Sequence, residues 1–136
     1  MYSQVNGMGL FGMNAFKVTA EIMSSRGQPS FDIVGLGDLA VQESRMRIKG
    51  ALSGIGISVS GQRLTVNLAP ADVRKCGSLY DFTIIAAILA VNNIITDDLS
   101  DCAFIGEVSL GGSLVFTGGI ISMATVSYTH LTLPTK

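Results

Sequence analysis

"RLTVNLAPADVRKCGSLYDFTIIAAILA", residues 63–90, changes its hydrophobic period partway along, and that change decides the fold class. Up to Ala69 the chain alternates, with Leu64, Val66 and Leu68 on one side and Arg63, Thr65 and Asn67 on the other. That is the period of a half-buried strand. From Leu79 onward the segment is apolar on every side, which predicts a helix enclosed by neighbours on more than one face. Between the two lies "NLAPADVRKCGSLYDF", residues 67–82, which crowds together an amide, two basic groups, a thiol, a hydroxyl and two carboxylates. It is either an active site or the joint between a strand and a buried helix.

Working outward, "AFKVTAEIM" (15–23) alternates as a second strand, "SSRGQPS" supplies a turn, and "FDIVGL" (31–36) reads as its hairpin partner. Asp38 is placed to cap a helix over about Leu39–Ile55. Val41, Ile48, Leu52 and Ile55 form its apolar stripe, and Glu43 and Arg47 are spaced i,i+4 for an ion pair. Gly54 and Gly56 end that helix, and Asn92 and Asn93 suit the end of the next. "CAFIGEVSL", a Gly111–Gly112 turn and "SLVFTGG" read as a last strand pair. Strands, helix, strand, helix, strands in that order predict one α/β (α+β) domain with a mixed sheet and two main helices.

With 136 residues, 48% of them hydrophobic and 14% charged, the chain is expected to bury a core and not to stay disordered. The mean hydropathy of +0.49 is high. Yet the longest apolar run, Ile84–Val91, is far below the roughly 18–20 residues of a membrane span. No membrane partner and no secretion signal are therefore expected, and Cys76 and Cys102 are read as reduced thiols of a cytoplasmic protein. The formal net charge of −1 gives no global attraction to nucleic acid. Two cysteines form no metal-ligand pattern.

Local chemistry favours the joint. Ser78 followed by Asp81 is a capping-box variant ahead of an apolar helix, while Pro70 ends the strand. Ser78 or Cys76 as a nucleophile would need Lys75 or Asp81 to activate it, and the sole histidine, His130, lies far away. "GLGDLA" spaces Gly35, Gly37 and Ala40 like a dinucleotide fingerprint, but a βαβ context and a downstream acid are not evident. No G-x-x-x-x-G-K-[ST] phosphate loop occurs. Arg45, Arg47, Lys49, Arg63, Arg74 and Lys75 are candidates for a phosphate-contacting patch, against the plainer alternative of scattered surface charge.

Three stretches, "RGQPSFDIVGLGDLAVQESRMRIKGAL", "RLTVNLAPADVRKCGSLYDFTIIAAILA" and "FIGEVSLGGSLVFTGG", resemble the N-terminal domain of the YifB/ComM proteins, magnesium-chelatase-like AAA ATPases. The resemblance runs from about Gly9 to Ala124. It implies a ribosomal-protein-S5-domain-2-like fold, shared with the Lon protease catalytic domain, and a missing C-terminal AAA module. It also implies a parent that forms a homo-hexamer, which in ComM serves DNA branch migration during natural transformation. ATP and Mg would then belong to the missing module alone, and no cofactor, metal or catalytic residue is expected in this fragment. Lon carries its nucleophile two residues after a glycine that matches Gly77, where this chain has Leu79. Its catalytic lysine falls two after the glycine pair matching Gly118 and Gly119, where this chain has Ile121. Aliphatic side chains neither attack a carbonyl nor take a proton. Two departures stand out: Gly37 replaces the usual proline, and Cys76 often an acid.

The resemblance predicts a domain over 1–125 that serves as a non-catalytic accessory to the ATPase, for assembly or partner contact. A nucleic-acid contact module is the alternative; a Lon-like serine-lysine protease is disfavoured by Leu79 and Ile121. Residues 126–136, "VSYTHLTLPTK", break the helical pattern, and their codons can spell a transposase adapter used in sequencing libraries. They are expected to be a non-native tail, which keeps His130 out of any site.

Overall fold

The computed structural model describes residues 1–11, 14–59, 61–75, 77–115 and 123–125. Strands β1 (Tyr2–Phe11), β2 (Asn14–Arg26) and β3 (Ser30–Val34) lead into helix α1 (Asp38–Gly54). Strand β4 (Gln62–Ala69), helix α2 (Asp81–Val91) and the two-residue strands β5 (Glu107–Val108) and β6 (Leu114–Val115) follow. Residues 123–125 add a short helical stretch. The fold is mixed α+β, as the change of period predicts.

The main sheet has the order β1-β2-β4-β3, with β4 parallel to β3 and antiparallel to β2. The expected hairpin between residues 15–23 and 31–36 is therefore wrong, because β4 inserts between its two arms. The inward face of β4, Leu64, Val66 and Leu68, is fully matched only at the centre. Val66 stands between Ile22 of β2 and Ile33 of β3, all three buried. At the sheet edge, β4 would leave one flank of that apolar row bare. Consequently β3–α1–β4 is a βαβ unit, the context that the sequence alone did not reveal around "GLGDLA".

Strand β1 carries no clear alternation in the sequence, and the reason is steric. A Cβ on Gly7 would overlap Thr83 Oγ1, and one on Gly9 would lie 2.5 Å from Tyr80 Oη. Helix α2 thus lies directly on the backbone of β1. Glycine provides that contact surface, so the hydrophobic signal is erased where packing is tightest.

One face of the sheet packs on the helices through Val5, Val18, Ala20, Ile22, Phe31 and Ile33 together with the β4 row. The other face mixes polar side chains with Met8, Met23 and Val34. There the Glu21 carboxylate accepts from Tyr2 Oη at 2.9 Å and Asn67 Nδ2 at 3.0 Å, tying three strands together. As expected, α2 is enclosed on several sides: Thr83–Ile88 and Val91 are all buried. Helix α1 buries Ser44, Ile48, Ala51 and Leu52, but Ile55 is 53% exposed, because it is the C-cap and has left the helical phase.

Both helices stop by the same device. The N–H groups of Gly56 and Ile57 reach Ser53 O and Leu52 O, and those of Asn93 and Ile94 reach Ala90 O and Leu89 O. These are Schellman closures, with Gly56 (φ +80°) and Asn93 (φ +59°) in the left-handed position. At the other end, Asp38 is not a cap. Gly37 is the N-cap of α1, without a side-chain bond, and Asp38 stands in the first turn, where its charge suits the helix dipole.

Candidate functional site

The joint between β4 and α2 turns two of its polar groups, Lys75 and Asp81, inward. Lys75 is buried, and its ammonium donates to Pro70 O and to Val73 O at 3.0 Å, drawing the loop around itself. Burial pushes the Lys75 amine below its ordinary range, and nearby Asp72 opposes the shift. Its backbone bridges Leu36, so the loops after β3 and β4 are joined here.

Asp81 is fully buried, yet it is well satisfied. Its carboxylate accepts from Arg47 Nε at 2.6 Å and Nη2 at 3.1 Å, from Ser44 Oγ at 2.9 Å and from the Val108 amide at 3.4 Å. Ser44 Oγ in turn accepts from Arg47 Nη2 at 3.1 Å, closing the network. The bond to Asp81 is the main cause holding the Arg47 guanidinium above its ordinary value; its own burial opposes this. Four donors, three from α1 and one from β5, thus meet at one buried carboxylate of α2.

This arrangement corrects two expectations. The Ser78/Asp81 capping box does not form: the N-cap of α2 is Tyr80, no side chain caps it, and Ser78 contributes only its carbonyl, to the Asp81 amide. Asp81 is held instead by the stronger, charge-assisted demand of Arg47. Likewise, Arg47 pairs with Asp81 and not with Glu43, which adds only a distant charge. Ser44 is the residue that sequence reasoning missed. Its signal was phase, since it falls three after Val41 and four before Ile48 in the buried stripe.

A cavity of about 750 Å³ opens where β3 and β4 end, beside the start of α1. Its charged lining is mixed: Arg47, Arg74 and Lys75 against Glu43 and Glu107. Gly35 (φ +109°) is there for packing, since a Cβ would lie 2.9 Å from Leu68 O, whereas Gly37 faces open space. The βαβ context of a dinucleotide site is present. The acid expected at the tip of the second strand is not, for β4 closes with Leu68–Ala69 and runs into Pro70.

The basic candidates divide between the two ends of the sheet. Arg45 donates to Phe31 O at 3.0 Å, while Lys49 and Arg63 border shallow depressions near Pro29 and Ser30. Arg74 and Lys75 lie past the far end of β4, on the order of 20–25 Å away at about 3.3 Å per residue. Leu79 is half-buried, with its carbonyl bound to the Gly106 amide at 3.0 Å. Cys102 is a free thiol. Cys76, Ile121, His130 and the tail 126–136 lie outside the described residues. Among the described residues, no helix is long and apolar enough to cross a membrane.

The family model "Subunit ChlI of Mg-chelatase" matches residues 20–132, and so extends over part of the expected tail. The uncharacterized protein YifB of Escherichia coli is 37% identical over 124 residues, 90% of this chain and 24% of that protein. Competence protein ComM of Haemophilus influenzae is 37% identical over 111 residues, 81% of this chain and 22% of that protein. The chain spans about a quarter of the length of these relatives. With most of its length matched by that model, the chain belongs to the Mg-chelatase ChlI family, in which its similarity to YifB and ComM places it beside longer proteins.

Proposed function

We propose that this chain is an accessory domain of a longer magnesium-chelatase-like AAA ATPase, acting through contact and not through chemistry of its own. One observation carries the reading. In the joint between β4 and α2, the two groups that could activate a nucleophile are engaged in structure: Lys75 on two carbonyls, Asp81 on Arg47 and Ser44. A nucleophile would also need an acidic or basic partner beside it, and the Lon-equivalent place holds Leu79. In this reading ATP and Mg belong to the remainder of the parent, which assembles as a cytoplasmic hexamer. Any DNA contact is then made by the parent, in keeping with the competence role that the name of ComM records. The S5-domain-2-like scaffold would hold the domain's contact surfaces in place. A nucleic-acid module of its own would ask for one continuous basic face, and the candidates lie at opposite ends of the sheet.

The test is turnover by the purified chain. ATP and unfolded casein should be cleaved no faster than by a Lys75→Met, Ser78→Ala double variant. Turnover that survives purification and falls with either substitution would overturn the proposal.

A further inference from the structure

The end of α1 and the β5–β6 hairpin build an apolar surface that nothing above uses. Ile55, Leu110 and Leu114 are 53%, 62% and 58% exposed, and Met46, one turn before Gly50 on α1, is 68% exposed. These side chains sit where the hairpin and the helix approach closely. A Cβ on Gly50 would lie 3.0 Å from Leu110 Cδ2, and one on Gly54 would lie 2.9 Å from Gly111 O. One on Gly112 (φ +94°) would lie 3.1 Å from Ile55 Cγ2. The tip of the hairpin is therefore pressed onto the glycine face of the helix. Below Ile55 and Leu114 a cleft of about 130 Å³ runs toward the core between Leu52, Phe82, Leu89 and Val108. Its volume suits one or two aliphatic side chains, and among the described residues no charged one lines it.

The geometry points to this surface as the seat of another part of the same longer polypeptide, which inserts apolar side chains between Ile55 and Leu114. The inference rests on the accessory-domain reading and names its contact surface. Two observations select this occupant. The chain spans about a quarter of its relatives' length, so most of such a polypeptide lies outside the structure. The patch is also small: four side chains fall far short of the roughly 800 Å² per partner that a stable separate interface needs. A covalently attached segment needs far less area, because tethering raises its effective concentration to about the millimolar range.

The experiment compares the 136-residue chain with the full chain encoded by its source gene, each carrying Leu110→Cys or Leu114→Cys. Maleimide labelling is followed by peptide mass mapping, which separates these sites from the native cysteines. Met23→Cys, on the sheet face away from the helices, serves as the control. Labelling at 110 and 114 should slow at least tenfold in the full chain, with position 23 unchanged. Equal rates in the two chains overturn the inference. So does slowing in the 136-residue chain that grows with its concentration, which would make a second copy the occupant. ATP turnover by the 136-residue chain would instead overturn the accessory reading, whatever the labelling rates.

Discussion

At the residue scale the buried carboxylate of Asp81 sets the energetics of the site. Its partner Arg47 retains 21% side-chain exposure, so the two ends of the pair are not equivalent. Arg47→Met leaves a charged carboxylate in the core with only Ser44 and Val108 to serve it, and should cost about 3 kcal/mol. Asp81→Asn frees a guanidinium that still reaches water, and should cost only about 1–2 kcal/mol. Urea midpoints check the order, and equal losses would contradict the asymmetry. Ser78→Ala, which removes no cap, should stay within about 0.5 kcal/mol of the parent. Lys75 adds a pH dependence. Burial lowers its folded-state pKa, so between that value and the ordinary 10.5 the unfolded chain binds more protons than the folded one. Stability attributable to Lys75 therefore rises with pH across that window and is smallest below it. The difference between parent and Lys75→Met in alkaline denaturation curves should show this increment, and a flat difference would argue against the buried ammonium.

At the element scale the glycines separate into those that packing requires and those it does not. Gly7→Ala drives a methyl group into Thr83, whose helix is enclosed on several sides and cannot move aside, and should cost about 2–3 kcal/mol. Gly37→Ala meets nothing within 4 Å at an ordinary φ of −68°, and should change stability by less than about 1 kcal/mol. Thermal unfolding of the two variants side by side reads the contrast. Similar shifts would mean that α2 does not rest on β1 as described.

At the scale of the whole molecule, protection should follow enclosure. Helix α2 and the central strand β4 are covered on both flanks, whereas β5 and β6 pair over only two residues each. Amide hydrogen exchange should therefore be slowest in 64–68 and 84–91 and fastest in 107–115, as opening free energy tracks buried contact. What the sequence determined by itself was local. The change from period two to all-round apolarity near residue 79 established a strand followed by an enclosed helix, and Gly56 and Asn93 marked the helix ends to within a residue or two. Burial of an element's own side chains writes such patterns directly into the chain. Three things were decided only by tertiary structure: the insertion of β4 between β2 and β3, the glycine-faced strand β1, and the choice of Arg47 over a helix cap by Asp81. Each depends on which surface comes to lie opposite a given residue. A one-dimensional pattern records that a side chain is buried or charged, but a partner 34 positions away in sequence, as Arg47 is from Asp81, is chosen only once packing brings the two together.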